Sequence, residues 1–392
     1  MPRPRPTLTG GSRRSGPQGY PVLVRVALKM VITQVICNLR PGGAERLAVD
    51  LSCELQSRGH VVRFVVIDQP RDEASETAKR AQLVAAGVET VFLGRRPGSG
   101  VVGLSQSAIK FARLLRSDPC DVIHSHLPYG HAVASLAKRL SGSDSEQVLT
   151  VHTSKEDWTT WQKKAIGAQR IAYCSRTAME RSAHANSAAC VIPNGVPVEA
   201  FTKPDTAGDP LVELGIPPAR DRVVSVGTLL EGKNYRTSLE AVAQLTYKCD
   251  VQYIVCGAGD RSPLERIARR LGIADRVSLL GPRSDIPAIL ASSRLFLSAS
   301  RYEGMPISVL EALVAGLPCV LSPIDEHIEV GRGMVGCAIA PANTPSPVAE
   351  ACMMMLKRRF DIAALRVTRS RALAEFDIGR CAERYENFYR QS

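Results

Sequence analysis

At 392 residues the chain is longer than one ordinary domain, and two domains are the natural expectation. Hydrophobic residues make up 45% and aromatics 5%, the balance of a soluble α/β protein, and no apolar run approaches the roughly 18 residues that span a bilayer. The net charge of +12 invites a nucleic-acid reading, but half of it belongs to residues 1–29, where Arg3, Arg5, Arg13, Arg14, Arg25 and Lys29 stand without an acid.

That head is rich in Pro, Gly, Ser and Arg and lacks the apolar core of a secretory signal. It reads as a disordered basic extension ahead of a native start at Met30, and no nucleic acid is expected as a partner. From residue 30 onward, short β-branched runs alternate with longer helical patterns. Strands are expected at 30–37, 61–67, 89–93, 121–124, 148–152 and 171–174, with helices such as 43–58 and 104–117 between them. A second series follows, with strands at 222–227, 251–256, 276–280, 295–298 and 318–321 and helices near 234–247, 262–271, 285–292 and 306–315. The alternation predicts two doubly wound, Rossmann-like α/β domains facing a cleft, with ligands at the carboxyl ends of the strands. The linker composition of 203–210 divides them into an N-terminal domain at 30–202 and a C-terminal domain at 203–372. Residues 373–392 form a last helix, free to pack back on the first domain.

Eleven cysteines are scattered singly, most of them in apolar runs and none in a CxxC pair. That usage gives neither a zinc site nor a disulfide framework, and it points to a reducing, cytoplasmic setting.

The chemistry concentrates in a few turns. Glu303 and Glu311 bracket a segment that otherwise reads as buried, with Pro306 suited to a helix start and Gly316-Leu317-Pro318 closing it. A helix start presents free N–H groups and partial positive charge, so it attracts anions such as phosphates. The bland alternative is a pair of acids favoured by solvent and by the helix dipole. Gly42 and Gly43 follow the first strand and open a helix, either to let a phosphate or sugar approach or as a plain turn. Gly227, Thr228 and Lys233 offer a flexible turn with one cation, fit for a diphosphate or simply solvated. The run from Cys256 to Ser262 begins a dinucleotide fingerprint but lacks its third glycine and its ribose-binding acid, which argues against a nicotinamide site. His124 and His126 alternate on a strand end and share a face. They read as packed histidines or as one hydroxyl-binding histidine, since no neighbouring carboxylate pair completes a metal site.

Taken in order, GGAER, RGH at 58–60, HSHLP, VHTS, IPNGV at 192–196, VGTLLEGKN, GAGD, LLG at 279–281 and EGMPISVLEALVAGLP resemble the GT-B glycosyltransferases of family 4. The resemblance runs from Met30 to the last helix, and its E-x7-E motif is highly specific. It implies a retaining transfer of a sugar from a nucleotide-diphosphate donor to an acceptor hydroxyl. By position, Glu311 would accept the ribose hydroxyls and Glu303, with its neighbours Gly304, Met305 and Pro306, would hold the donor sugar. Lys233 would neutralise the diphosphate, Arg283 and its surroundings would meet the base, and Gly42 and Gly43 would line the phosphate side. His126 would stand near the reacting sugar and acceptor. The partners implied are a nucleotide-sugar donor and a glycan, lipid-linked or small-molecule acceptor; the basic and apolar residues intermixed at 109–116 and 158–170 read either as a peripheral contact to an anionic membrane or as ordinary amphipathic packing. No metal or cofactor is expected, because the chain has no Asp-x-Asp. Thr228 replaces the arginine usual in the family, so Lys233 acts alone or with Arg236 or Arg301. The IPNGV turn lacks the family's aspartate and is expected only to support the approach to the hinge. Competing readings are a nucleotide-sugar epimerase or hydrolase of this architecture, or a catalytically silent scaffold.

Overall fold

The computed structural model describes residues 29–71, 73–153, 170–182, 188–202, 208–358 and 362–391. The basic head before Lys29, nearly all of the 158–170 stretch and most of the 203–210 linker lie outside the described residues.

The first unit is a seven-stranded parallel sheet. Its strands are β1 (Val31–Ile36), β2 (Val61–Asp68), β3 (Glu89–Arg95), β4 (Val122–His126), β5 (Glu146–Val151), β6 (Arg170–Tyr173) and β7 (Cys190–Val191), in the order β3-β2-β1-β4-β5-β6-β7. Helices α1 (Gly43–Ser57), α2 (Ala74–Ala85), α3 (Gly100–Ser117) and α4 (Pro128–Ser141) cross between its strands, and the short α5 (Arg176–Glu180) and α6 (Glu199–Thr202) follow. After α7 (Pro210–Glu213), a second parallel sheet comprises β8 (Asp221–Val226), β9 (Val251–Cys256), β10 (Val277–Gly281), β11 (Leu295–Ser298), β12 (Cys319–Leu321) and β13 (Cys337–Ile339). Its order is β10-β9-β8-β11-β12-β13. Its helices are α8 (Tyr235–Thr246), α9 (Ser262–Arg270), α10 (Ile286–Ala291), α11 (Ile307–Ala315), α12 (Asp325–Gly331) and α13 (Pro345–Lys357), followed by α14 (Ile362–Glu375) and α15 (Ile378–Arg390).

Both sheets are doubly wound, as the alternation of runs predicted. Strands covered on both faces need apolar residues throughout, and β9 is buried from Val251 to Cys256. In each sheet the winding reverses between its first and fourth strands, at β1/β4 and β8/β11. Crevices at the carboxyl ends of strands beside such reversals are where open α/β sheets take ligands.

Helix α11 is buried along most of its length, and Val309, Leu310, Leu313 and Val314 are at most 1% exposed. Each such side chain contributes about 1.5–3 kcal/mol by leaving water, so the helix start is held fixed. Gly316 ends it in the left-handed conformation.

The chain finishes on the first unit. Helix α15 packs against α1. Its Glu386 pairs with Arg58 at 2.7 Å and His60 at 3.0 Å, tying in the RGH motif. Its Tyr385 and Tyr389 hydroxyls reach Thr150 Oγ1 at 2.8 Å and His124 Nδ1 at 2.7 Å. The two units also touch where Glu329 of α12 accepts the backbone N–H groups of Arg176 and Thr177 at the start of α5, at 2.8 and 3.0 Å.

Candidate active site

One cavity of about 490 Å³ opens between the two sheets, within the range of small-molecule sites. Its wall brings together Gly42, Gly43, Gly227, Thr228, Lys233, Arg283, Glu303, Gly304, Met305, Pro306 and Glu311, residues that span most of the chain.

Two helix starts open onto it, one from each unit. Gly42 precedes α1 and Pro306 precedes α11, and neither of these residues caps its helix with a side chain, although the Glu45 carboxylate folds back over the start of α1 beside Gly42. The N–H groups around Gly43 and Ala44, and around Ile307 and Ser308, thus belong to the cavity wall with their helix-dipole charge. Pro306 stands one position before the helix and not within its first turn, so its missing N–H removes nothing from that turn.

Between these helix starts lies a charged group. Lys233 Nζ donates to Glu303 Oε1 at 2.6 Å, and Ser300 Oγ donates to the same oxygen at 2.7 Å. Glu311 is only 8% exposed on α11, and burial pushes its carboxyl up to about 7 despite the opposing charge of Arg46. Arg46, on α1, is held by Asp50 at 2.6 Å, and Asp50 in turn accepts from Gln82 at 2.7 Å. Arg283 is paired with Asp285 through both carboxylate oxygens. Arg301 bonds to Glu231 at 2.8 Å, and neither it nor Arg236 contributes to the cavity wall, so neither stands in for the cation missing at Thr228. The cations that do line the wall beside Lys233 and Arg283 are Arg46 and Lys79 from the first unit.

The partial dinucleotide fingerprint has a packing explanation. A Cβ on Gly257 would fall 1.7 Å from the Gly227 carbonyl oxygen, so the glycine lets the β8 and β9 turns meet.

His126 requires a correction. It is fully buried, with Nε2 on Gln34 Oε1 at 2.8 Å and Nδ1 on His152 Nε2 at 2.9 Å. The histidine in the cavity wall is His152, just after β5. His124 is a packed histidine, closed between Thr150 and Tyr389. Strand alternation placed the two histidines on one face but could not give their depth. The VHTS motif was the available signal for His152.

Asn194 also does more than support a hinge. Its Nδ2 donates to the Met305 carbonyl at 3.0 Å, and its backbone N–H meets Met305 Sδ at 3.1 Å. The preceding residue of that loop, Gly304, lies against the first unit as well, since a Cβ there would sit 1.9 Å from the His152 carbonyl oxygen. The loop between the two glutamates is therefore seated on both IPNGV and VHTS.

Two doubly wound sheets enclosing one such cleft define the GT-B fold. Residues 41–200 match the family model for Glycosyltransferase Family 4, and residues 220–358 match that for Glycosyl transferases group 1. The chain belongs to glycosyltransferase family 4. It is 25% identical over 327 residues to a putative glycosyltransferase, EpsF, of Bacillus subtilis (strain 168), covering 78% of this chain and 82% of that protein. It is 27% identical over 338 residues to the phosphatidyl-myo-inositol mannosyltransferase of Mycobacterium leprae (strain TN), covering 81% and 84%. The crystal structure of Anabaena HepE in complex with UDP-glucose superposes with a TM-score of 0.78 at 18% identity, over 91% of this chain and 98% of that one, a likeness of fold.

Proposed function

We propose that the enzyme moves a sugar from a nucleotide-diphosphate donor to an acceptor hydroxyl, with retention of configuration and without a metal, in glycan or glycolipid assembly. The observation that carries this reading is the convergence of two helix starts, Lys233, Glu303 and Glu311 on one cavity. Departure of a nucleoside diphosphate builds negative charge on the leaving oxygen, and fixed N–H dipoles with a preorganised cation stabilise it. Glu303, anchored by Lys233 and Ser300, is placed to accept sugar hydroxyls, while Glu311 further along α11 takes the ribose. Arg283 and its turn meet the base. His152, in place of His126, stands at the reacting sugar and acceptor. Retention fits front-side attack, with the leaving phosphate taking the acceptor proton.

The relatives guide the acceptor class. The Mycobacterium leprae relative is a phosphatidyl-myo-inositol mannosyltransferase, and an Escherichia coli relative, 28% identical over 242 residues, transfers galactose to a diphosphoundecaprenol-linked sugar. On α3, exposed Val101, Val102 and Ile109 accompany Lys110, Arg113 and Arg116 without an acid, a composition suited to an anionic bilayer surface. No helix among the described residues is long and apolar enough to cross a membrane. The reading is thus a cytoplasmic enzyme touching the inner membrane face, fed with a lipid-linked or glycan acceptor.

The deciding experiment is a panel of nucleoside diphosphates and their sugars, scored first by thermal protection. One nucleotide should stabilise the protein, by about 2.7 kcal/mol at a hundredfold excess over its Kd. Labelled-donor transfer to candidate acceptors then follows, and chelator should leave it unchanged. Protection by none of the nucleotides would remove the donor reading.

A further inference from the structure

Behind the cavity wall lies a buried chain of polar groups that the transfer reaction does not itself require. Gln34 on β1 and His126 on β4 are fully buried, and His126 joins Gln34 to His152 through both ring nitrogens. His124 lies over His126 with ring centroids 4.3 Å apart, and is closed by Thr150 and Tyr389. Burial holds all three imidazoles neutral, with His124 and His152 both pushed down to about 3. Each therefore carries one ring proton, and the direction of every bond follows from its first member.

Gln34 turns its amide oxygen, an acceptor only, toward His126, an orientation that leaves its buried Nε2 without a hydrogen-bond partner among the described residues. His126 must then place its proton on Nε2 and use Nδ1 as an acceptor. The only proton that can fill the 2.9 Å contact to that Nδ1 is one on His152 Nε2. His152 is left with an unprotonated Nδ1, which has no hydrogen-bond partner among the described residues and belongs to a residue of the cavity wall. Reversing the Gln34 amide would invert every bond and turn His152 Nδ1 from acceptor to donor.

We infer that Gln34 is a positioning residue: acting through His126, it fixes the His152 tautomer so that the cleft meets a lone pair able to accept from a substrate hydroxyl. The ligand chemistry is a sugar or acceptor O–H, and this inference rests on the transferase reading above. A pair of sequence-distant side chains, neither of which touches substrate, would then set the polarity of the wall.

The tautomer is read directly from the ring-nitrogen shifts of ¹⁵N-histidine-labelled protein. In the wild type His152 is expected as the Nε2–H form; the Nδ1–H form would overturn the inference, whatever the enzyme's activity. Gln34→Met should give a mixture of the two forms at His152, lower kcat about tenfold, and leave thermal protection by the nucleotide unchanged. An unchanged His152 tautomer in a folded Gln34→Met protein would also overturn it. The shifts need no substrate, so a wild type that binds no nucleotide would sink the transferase reading while leaving the tautomer assignment intact.

Discussion

Lys233 Nζ lies 2.6 Å from Glu303 Oε1, so the side chain assigned to the diphosphate and the one assigned to the sugar form a single ion pair. Binding of a diphosphate has to share or divide that pair, which couples the two halves of the donor. Lys233→Ala is expected to lower kcat/KM by about a hundredfold or more, the scale for losing one charge-stabilising group. Glu303→Ala should cut turnover more than it weakens binding of free nucleotide. The double variant should lose less than the two single losses combined, by about 1 kcal/mol, as contacting residues do. Additive losses in a double-mutant cycle of kcat/KM would show that the pair is not coupled during the reaction.

Glu311 offers a pH signature. Burial raises its carboxyl to about 7, so the folded protein holds that proton over a range where the unfolded chain has released it. The stability this gives is fully present below the ordinary glutamate range and is lost as pH rises through about 7. Glu311→Gln removes the titration, so its stability relative to wild type should climb between about pH 5 and about pH 8, on the order of 3 kcal/mol at most. Thermal melts of both proteins across that range check the sign. The same variant should weaken nucleotide protection at every pH.

Gly304→Ala places a methyl 1.9 Å from the His152 carbonyl, a contact that backbone cannot accept without moving. The expected result is a cost of about 1–3 kcal/mol in stability and a loss of turnover beyond tenfold, because Glu303 shifts with the loop. Steady-state kinetics beside a denaturant melt separate the two. Unchanged kinetics would mean that the loop and VHTS do not stay in contact during turnover.

Asn194→Ala removes the side-chain hydrogen bond to Met305 and leaves a buried carbonyl unpaired, at about 1–3 kcal/mol. Turnover should fall while binding of free nucleotide is spared, since neither helix start is touched. A KM-against-kcat comparison, with Asn194→Asp as a second variant, distinguishes loop positioning from general destabilisation.

Much of the fold was legible because parallel strands buried on both faces advertise themselves. Val223, Val224 and Val226 in β8, or Val61 to Ile67 in β2, form runs that little else explains. Strands β7 and β13, two and three residues long, were missed. The start of β5 was missed because it opens on Glu146 and Gln147, polar residues admitted by pairing with Val122 and Ile123. Helix α4 begins at Pro128, in a stretch that was read only for its histidines. The cavity residues were readable as motifs because each sits at a strand-to-helix turn, where local chemistry is constrained. Depth was not readable. Whether His126 or His152 meets the cleft depends on how one strand end sits above its neighbour, and the Asn194–Met305 contact joins residues 111 apart in sequence.

Helix α15 brings a consequence for how the enzyme is made. Tyr389 closes His124 across 265 residues of chain, and Tyr385 closes Thr150 across 235. At about 5–20 residues per second, a ribosome needs some 13–53 seconds to travel from the first of these histidines to its tyrosine. Until then the earlier-made sheet has its polar interior uncovered, including the neighbours of the histidine that faces the cleft. The amino-terminal half therefore reaches its final form only after the carboxyl-terminal half has been synthesised, and the cleft is assembled from both ends of the message at once.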